Sequence, residues 1–343
     1  MASLRVAVVG ATGAVGREMV RILEERSFSL DELGLFATSA SDGKRVRFGD
    51  SELTVGALSP SSLDGFDLAL FSAGSAVSRD VVPGVAKQGT ICIDNSSAFR
   101  MDPGTPLVIP EINAAALEGH RNVVANPNCT AITALMAVAP LHRAAGLKQL
   151  VISSYQSVSG SGMKGIRELA EQIEKLGGME ELLIRPDHDA LPVGDVYGRT
   201  IAFNVLPFMF RADELDWTDE ERKLLHESRK VLDAPEVEVA ATVVRVPVVT
   251  GHAVSLFAAF ERSITPEEGR SLVAAFPGVR LVDDPAGRGY PTPMDAAGID
   301  DVLVGRIRAV DGRDDALMLF AAGDNLRKGA ALNAVQIAEA LIG

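Results

Sequence analysis

The sequence predicts an α/β fold class, with an N-terminal parallel-sheet domain followed by an α+β domain built on a mixed sheet. Three observations support this prediction. Strand and helix patterns alternate from Leu4 to Asp94, a glycine-rich turn joins the first strand to the first helix, and the strands after about residue 148 become longer. Alternating strands and helices favour parallel pairing, because each parallel connection needs a crossover segment.

The first part of the chain contains apolar runs that are bounded by turn residues and separated by helical patterns. Short apolar runs of this kind are typical of strands buried on both faces of a parallel sheet. The predicted strands are Leu4–Gly10, Leu33–Ala37, Asp67–Ala73 and Gly89–Asp94, and the predicted helices cover 14–26 and 77–87.

The second part of the chain has a different character, with long strand patterns and fewer crossover helices. This composition predicts an α+β arrangement on a mixed sheet. Residues 183–200 are rich in turn formers and are predicted to form an exposed loop. The predicted strands are 149–156, 240–248, 253–260, 302–308 and 316–322, the predicted helices cover 163–177, 218–232 and 266–275, and an amphipathic helix is predicted from Lys328 to Ile342.

Bulk properties exclude several classes of function. The chain has 343 residues, a net charge of −13 and a pI near 4.9, whereas a nucleic-acid partner requires a basic face. The only two cysteines, Cys92 and Cys129, do not indicate a disulfide framework, so a reducing cytoplasm is expected. The N-terminus lacks a signal-peptide pattern, and no apolar run approaches the length of a membrane span.

Cys129 is the residue with the most informative local context. It follows Asn126-Pro127-Asn128 and precedes a long apolar run, so it is predicted to open a helix. Amide dipoles at a helix start favour a thiolate, and we therefore expect a lowered pKa and a candidate nucleophile. A buried structural cysteine is the alternative interpretation.

The segment Gly10-Ala11-Thr12-Gly13-Ala14-Val15-Gly16 closes the first strand and opens the first helix. Its spacing is G-x-x-G-x-x-G rather than G-x-G-x-x-G. Glycines at this position allow a tight turn and a close backbone approach to a pyrophosphate, which then rests on the helix N-terminus. A Rossmann-like dinucleotide-binding domain is therefore predicted.

The loop after the second strand bears on which dinucleotide is bound. It reads Thr38-Ser39-Ala40-Ser41, with Lys44 and Arg45 following, and it lacks the acidic residue that binds a ribose 2′-hydroxyl. Small hydroxyls and nearby cations suit a 2′-phosphate, so NADP is predicted over NAD. A polar loop without a ligand is the alternative.

Short-chain reductases share a similar glycine pattern but require Tyr-x-x-x-Lys. The residues four positions after the three tyrosines, Tyr155, Tyr197 and Tyr290, are Ser159, Ile201 and Met294. None of them is lysine, which argues against this class.

Polar residues in the second part supply further candidates. His252 follows a glycine between strands and is a candidate general base with a pKa near neutrality, and Arg245 could grip a carboxylate with two hydrogen bonds. Glu220 and Lys223 share a helix face, where a surface ion pair is the default interpretation.

The loop 157–165 is a second small-residue turn before a helix and could bind an anion or approach a nicotinamide. A plain strand-to-helix turn is the alternative. His188 lies between Asp187 and Asp189, but no second spaced histidine or cysteine accompanies it, so no metal site is predicted.

Together these segments resemble the aspartate-semialdehyde dehydrogenase family, in family order and over nearly the whole chain. The matching stretches are Gly10–Gly16, Asp94-Asn95-Ser96-Ser97-Ala98-Phe99-Arg100, Val108–Asn113, Asn126-Pro127-Asn128-Cys129-Thr130, Ser154-Tyr155-Gln156-Ser157-Val158-Ser159-Gly160, Ile201–Pro207, Arg245–His252 and Asp324-Asn325-Leu326-Arg327-Lys328-Gly329-Ala330-Ala331.

The resemblance implies a role for each matching residue. Cys129 would be the acylated nucleophile and His252 the acid/base. Arg245 and Gln156 would hold the substrate, Arg100 and Lys223 its phosphate, and Glu220 its amino group. The residues implied to contact NADP are Gly10, Thr12, Gly13, Ala14, Val15, Thr38, Ala40, Ser41, Ser159, Gly160 and Asn325. Family members often carry arginine where this chain has Ala40.

The resemblance also implies a reaction and an organisation of the chain. The reaction would be NADP-dependent conversion of L-aspartyl-4-phosphate to L-aspartate-4-semialdehyde, on the route to lysine, diaminopimelate, threonine and methionine. Residues 1–130 would form the NADP-binding domain, completed by a C-terminal helix at 325–343. Residues 131–324 would form the catalytic and dimerisation domain of a cytoplasmic homodimer, which could pair into a tetramer.

Two other functions stay open. N-acetyl-glutamyl-phosphate reductase uses the same chemistry on an acylated substrate, and it would not need Glu220 for a free amine. A non-catalytic NADP-binding homologue is the second, but a scaffold would have no need of Cys129, Gln156, Arg245 and His252 together.

Overall fold

The computed structural model describes residues 4–59, 61–177, 190–207, 212–284 and 286–343. The segment Asp187–Asp189, at which no metal site is predicted, lies outside these residues, as does the first part of the predicted loop 183–200. Residues 190–200 contain no helix or strand, and most of them are exposed or half-buried.

The first seven strands form one twisted sheet in the order β3-β4-β2-β1-β5-β6-β7. All neighbouring pairs are parallel except β3 and β4, which form an antiparallel hairpin at the edge. The elements of this region are β1 Leu4–Val9, α1 Ala14–Glu25, β2 Leu30–Ala37, β3 Arg45–Phe48, β4 Ser51–Ala57, β5 Leu68–Phe71, α2 Ser75–Lys87, β6 Ile91–Asp94, α3 Pro110–Asn113 and β7 Val123–Ala125.

The predicted parallel sheet is confirmed, and its central strands are buried because helices cover both faces. The sequence prediction missed β3, β4 and β7. The hairpin strands alternate between exposed and half-buried residues, and β7 has only three residues, so neither gives a long apolar run.

The remaining strands form a six-stranded sheet in the order β11-β12-β13-β10-β8-β9. Its pairs β8–β9 and β11–β12 are parallel and the others antiparallel, which confirms the predicted mixed sheet. The elements are α4 Cys129–Ala145, β8 Leu147–Gln156, α5 Gly162–Leu176, α6 Asp219–Val231, β9 Glu238–Arg245, β10 His252–Phe260, α7 Pro266–Ala274, β11 Val279–Leu281, α8 Pro293–Ala296, β12 Val302–Val310 and β13 Arg313–Gly323.

Helix α4 connects the two sheets and forms the centre of the second core. It follows β7 directly, and almost every side chain after its first turn is buried. The helix is apolar on all sides, as expected for a helix enclosed by protein. The rigid packing of α4 therefore fixes the position of its first residue, Cys129.

The C-terminal segment returns the chain to the first sheet. It begins as a π-helix over Arg327–Ala331 and continues as α9, Leu332–Ile342. The prediction of one amphipathic helix is wrong in this respect, because α9 buries most of its circumference against α1 and the first sheet. The domain limits at residues 130 and 324 stay a prediction. In the described residues, no helix combines the length and apolar character needed to cross a membrane.

Candidate active site

The turn that precedes α4 places a cysteine at the start of the helix. Asn128 is the N-cap, with extended backbone, and its side-chain Oδ1 accepts hydrogen bonds from the N–H groups of Thr130 at 2.9 Å and Ala131 at 3.2 Å. These bonds satisfy amides that the first helical turn leaves unpaired. Cys129 is therefore the first helical residue, as its sequence context predicts.

Cys129 faces a cleft of about 340 Å³ between the two sheets, and it is half-buried there. The cleft brings together residues that are far apart in the chain. Its lining includes Gly13, Ala14, Val15, Arg100, Asn128, Cys129, Ser159, Gly160 and Asn325.

The electrostatic surroundings of the thiol differ from the prediction. Burial raises the pKa of Cys129 to about 11, and the Glu220 carboxylate adds to this rise, whereas Arg245 and Arg100 oppose it. The expected lowering of the pKa is therefore wrong for the ligand-free protein, because desolvation exceeds the stabilisation that the cations provide. A pKa of about 11 leaves the thiol protonated at neutral pH in the ligand-free protein.

Glu220 and Lys223 form an ion pair, with Lys223 Nζ 2.8 Å from Glu220 Oε2. The default interpretation as a surface pair is wrong, because only 9% of the Glu220 side chain is exposed. Glu220 Oε1 also accepts a hydrogen bond from Asn128 Nδ2 at 2.7 Å. Burial opposes ionisation of Glu220, but Lys223, Asn128 and Arg100 outweigh it and hold its pKa below the ordinary value.

Gln156 is the last residue of β8 and is buried between α4 and α6. Its Nε2 donates to Thr130 Oγ1 at 2.7 Å and lies 3.5 Å from Glu220 Oε1. The amide is thereby bonded to Thr130, the residue that follows Cys129 in α4.

Arg100 is buried beside the same turn. Its Nε donates to the carbonyl of Asn126 at 2.9 Å, its Nη2 to the carbonyl of Asn95 at 2.8 Å, and its Nη1 to Glu227 Oε1 at 2.9 Å. The guanidinium is therefore fixed at the wall of the cleft by three acceptors.

Arg245 ends β9 beside Gln156, with which it is in register. Its Nη1 donates to the carbonyl of Ser157 at 2.5 Å, and its guanidinium lies 5.8 Å from the ring centre of Tyr197. A Cβ placed on Gly160 would lie 2.8 Å from Arg245 Nη1, so a side chain at this position would displace the guanidinium.

His252 begins β10 and is fully buried behind Gly160. Its Nδ1 lies 3.1 Å from the backbone nitrogen of Ser157, which can only donate, and this favours the tautomer with the proton on Nε2. Nε2 is buried and has no hydrogen-bond partner among the described residues.

Burial and the Arg245 guanidinium lower the pKa of His252 to about 3. The expectation of a pKa near neutrality is therefore wrong for the ligand-free protein, in which the ring is neutral at pH 7.

Asn325 ties the loops around His252 together. Its Oδ1 accepts hydrogen bonds from the N–H of Gly251 at 2.9 Å and from the hydroxyls of Ser157 and Ser159 at 3.1 Å each. The loop 157–165 contains a 3₁₀ turn over Val158–Ser161 and then becomes α5. Its predicted position between strand and helix is confirmed.

The glycine-rich turn has the geometry of a cradle for a flat or phosphorylated ligand. Gly10 has φ +89°, and a Cβ there would lie 2.3 Å from the carbonyl oxygen of Ser72. A Cβ on Gly16 would lie 2.1 Å from the carbonyl oxygen of Gly10. Both positions therefore require glycine, and α1 begins at Ala14 without a side-chain cap on its first amides.

A second cavity, of about 650 Å³, extends from this turn along the ends of β1 and β2. It shares Gly13 and Ser72 with the cysteine cleft, and Gly10, Thr12 and Thr38 also line it. An elongated ligand that crosses the start of α1 would occupy both cavities.

The loop after β2 stands next to the glycine-rich turn. Ser41 Oγ lies 3.2 Å from Thr12 Oγ1 and 3.1 Å from Lys44 Nζ. Two hydroxyl groups and the Lys44 ammonium group are therefore close together at this position. Ala40 is exposed, and Arg45 pairs with Glu52 on the edge hairpin at 3.2 Å. Within the described residues, no cluster of three or more His, Cys, Asp or Glu side chains could hold a metal ion.

The sequence prediction missed Glu227, gave Asn128 no role of its own, and included Ser157 only as part of the loop 157–165. Glu227 follows Glu220 by seven residues and lies on the same helix face, which is a signal that the sequence contains. Ser157 bonds His252 and Arg245 through its backbone N–H and carbonyl, for which no side-chain pattern exists, and its hydroxyl bonds Asn325.

Comparison with protein-family models gives two matches. Residues 5–120 match the semialdehyde dehydrogenase NAD binding domain, and residues 138–328 match the semialdehyde dehydrogenase dimerisation domain.

Individual proteins show the same similarity. The chain is 45% identical to aspartate-semialdehyde dehydrogenase of Bacillus subtilis over 98% of this chain and 97% of that one. It is 38% identical, with a TM-score of 0.93, to the structure of aspartate semialdehyde dehydrogenase II from Vibrio cholerae complexed with ASA, covering 100% and 99% of the two chains. The Candida albicans aspartate semialdehyde dehydrogenase with NADP is 19% identical, with a TM-score of 0.73 and 99% coverage of both chains, and this likeness concerns the fold.

Proposed function

The chain belongs to the aspartate-semialdehyde dehydrogenase family, and we propose that it converts L-aspartyl-4-phosphate to L-aspartate-4-semialdehyde with NADP as cofactor. The observation that carries this proposal is the charge pattern around Cys129. The thiol lies within the fields of two guanidinium groups, Arg100 and Arg245, and of one carboxylate, Glu220. Aspartyl phosphate has two anionic ends and one ammonium group, so the site and the substrate are complementary.

Each charged residue has a proposed partner on the substrate. Arg245 holds the α-carboxylate through its planar guanidinium, and Gln156 orients the reacting end from its position beside Thr130. Glu220 is ionised and accepts a hydrogen bond from the substrate's ammonium group. Arg100 and Lys223 stabilise the phosphate and its charge as it leaves.

The chemistry begins with the Cys129 sulfur. The Cys129 thiol gives its proton to a phosphate oxygen of the substrate as its sulfur attacks the acyl carbon, a C–S bond forms, the C–O bond to phosphate breaks, and hydrogen phosphate leaves with that proton. Hydride reduction of the thioester gives a hemithioacetal, whose C–S bond then breaks to release the aldehyde and regenerate Cys129. The Nε2–H of His252 is available to the substrate oxygen on which negative charge develops.

The residues present fit a dinucleotide. The tight turn at Gly10 and Gly16 leads into the uncapped start of α1, which would hold a pyrophosphate, and the residues of the second cavity would hold the adenosine end. Thr12, Gly13, Ala14 and Val15 would hold the pyrophosphate, while Ser159, Gly160 and Asn325 would border the nicotinamide. When bound, this cofactor supplies the hydride.

The assembly, location and pathway follow from family membership as proposals. We propose a homodimer formed through the second domain, located in the cytoplasm and serving the synthesis of lysine, diaminopimelate, threonine and methionine. Light scattering of the purified protein tests the dimer.

A reverse assay tests the reaction itself. Purified protein with aspartate semialdehyde, phosphate and NADP should form NADPH, measured by absorbance, and omission of phosphate should stop steady turnover. N-acetyl-glutamate semialdehyde is the matched alternative substrate. Faster turnover of the acetylated compound would reject the proposal in favour of the sister reductase, and absence of turnover with either would favour a non-catalytic binding protein.

Lys223→Gln tests the phosphate site. Loss of the ammonium group should raise the KM for phosphate about tenfold. The KM for aspartate semialdehyde should rise less, because Glu220 loses its ion pair with Lys223 but keeps the hydrogen bond from Asn128. The matched control is Arg222→Gln, which removes a charge from the neighbouring residue that pairs with Asp213. Equal phosphate KM values in Lys223→Gln and the unmodified protein would remove Lys223 from the site.

Ala40→Asp tests cofactor selection. The unmodified protein should use NADPH in preference to NADH, because no carboxylate follows β2 and Ser41 and Lys44 stand at this position. A carboxylate at residue 40 should lower kcat/KM for NADPH about tenfold and leave NADH use unchanged, since like charges would face each other. Ser51→Asp adds the same charge at the far end of the hairpin and should have no selective effect. A native preference for NADH would contradict the proposal.

A further inference from the structure

Glu227 occupies a position between two groups of the candidate site. It lies on α6, one helical turn beyond Lys223 and on the same face as Glu220. Only 1% of its side chain is exposed. Oε1 accepts a hydrogen bond from Arg100 Nη1 at 2.9 Å, and Oε2 accepts one from the backbone N–H of Asn128 at 2.6 Å.

These two bonds complete a ring around the turn that carries Cys129. Arg100 donates a hydrogen bond to the carbonyl of Asn126 and another to Glu227 Oε1. Glu227 Oε2 in turn accepts a hydrogen bond from the N–H of Asn128. Pro127, between the two asparagines, has no N–H of its own. The polar backbone groups on both sides of Pro127 are thus joined through one buried carboxylate and one buried guanidinium.

We propose that Glu227 is a positioning residue that fixes the guanidinium of Arg100 for phosphate and couples it to the turn of the nucleophile. This inference rests on the proposed function, and it assigns a role to a residue that touches neither substrate nor cofactor. Only a carboxylate satisfies the geometry, because both partners are donors and each needs an acceptor oxygen. A buried donor left without an acceptor would shift to find one.

The charge of the pair supports a positioning role. Arg100 without Glu227 would be a buried cation bonded to two neutral carbonyl groups, with no carboxylate on Nη1. With Glu227 in place, all three guanidinium nitrogens donate to fixed acceptors, so the plane of the group at the wall of the cleft is set and two N–H groups remain for a further acceptor. A phosphate that enters the cleft therefore meets a donor set that is already oriented.

Glu227→Gln is the principal test. Glutamine keeps the size of the side chain but replaces one acceptor oxygen with an NH₂ donor, so either Arg100 or Asn128 faces a second donor. In the reverse assay, we expect the KM for phosphate to rise about tenfold or more and the KM for aspartate semialdehyde to change less than about threefold.

A double-substitution cycle identifies the partner through which Glu227 acts. If it acts through Arg100, the double variant Arg100→Met with Glu227→Gln should have the phosphate KM of Arg100→Met alone. Additive effects of the two substitutions on the phosphate KM would overturn the proposal.

The matched control is Asp283→Asn in the second sheet. Asp283 is a fully buried carboxylate that accepts from Arg270 Nε at 2.8 Å and from the backbone N–H of Arg306 at 2.8 Å, so it has the same kinds of partner away from the cleft. Asp283→Asn should lower Tm and leave the phosphate KM unchanged. A purely structural role for Glu227 predicts the same behaviour for Glu227→Gln, and that result would reject the inference.

A binding measurement and a second variant complete the test. Inorganic phosphate alone should raise the Tm of the unmodified protein, and Glu227→Gln should require about tenfold more phosphate for the same rise.

If Glu227→Gln does not fold, Glu227→Asp keeps the charge and both oxygens but is shorter by one methylene, and its phosphate KM should also rise. An unchanged or lower phosphate KM in Glu227→Asp would then overturn the proposal. If the unmodified protein shows no phosphate-dependent turnover, the proposed function fails first and this inference fails with it.

Discussion

Replacement of Cys129 by alanine is expected to reduce turnover by about 10⁴-fold or more, because the atom that forms the covalent bond is removed. The fold should be retained. Cys129 is half-buried at the first position of α4, and the N-cap bonds of Asn128 involve backbone groups of the next two residues, which alanine leaves intact. Tm should therefore change by only a few degrees.

Cys92→Ser is the control for this substitution. Cys92 lies inside β6, is fully buried, and burial raises its pKa to about 12. Serine should lower Tm modestly and preserve kcat, because this side chain lies in the core of the first sheet and does not line the cleft. Retention of more than about 1% of turnover in Cys129→Ala would contradict nucleophilic catalysis by this residue.

Detection of a covalent intermediate tests directly whether Cys129 is the nucleophile. Mixing the protein with aspartate semialdehyde and NADP, without phosphate, should give a burst of NADPH that matches the enzyme concentration. Mass spectrometry should locate the acyl group on the peptide that contains Cys129. Acylation elsewhere would show that another group is the nucleophile.

Replacement of His252 by alanine is expected to lower kcat by about 10²- to 10⁴-fold, with little change in the KM for aspartate semialdehyde. The reason is the position of the buried Nε2, which has no hydrogen-bond partner among the described residues. The ring is held by the Ser157 N–H, which donates to Nδ1. Arg245→Lys is the contrasting variant and should mainly raise KM, since an ammonium group cannot form a two-pronged contact with a carboxylate. Similar small effects of both variants on both parameters would contradict these roles.

The lowered pKa of His252 also predicts an effect on stability. Because the folded-state pKa is about 3, the folded protein stays neutral at this residue while the unfolded chain binds a proton below pH 6.5. Stability contributed by the neutral ring is thus present above pH 6.5 and is lost as pH falls. Between pH 7.5 and pH 5, the free energy of unfolding should fall by about 2 kcal/mol more in the unmodified protein than in His252→Gln. Urea titrations at the two pH values measure this difference.

Features that depend on neighbouring residues could be predicted from the sequence alone. Alternating apolar runs and helical segments determined the parallel sheet, the glycines at 10 and 16 determined the turn before α1, and Asn128 determined that a helix begins at Cys129. Backbone conformation and capping are local, so a window of a few residues contains the information. The short strands β3, β4 and β7 were missed because each depends on pairing with a distant neighbour.

The electrostatic state of the site, in contrast, depends on how distant segments pack together. Glu220 and Lys223 read as a surface pair along the helix, yet the fold buries the carboxylate against Asn128. Helix-start chemistry predicted a lowered pKa for Cys129, whereas burial and Glu220 raise it. Glu227 reaches the backbone of Asn128 across a sequence separation of 99 residues. Burial and charge interactions depend on which distant segments meet and how much water they exclude, and no local pattern contains that information.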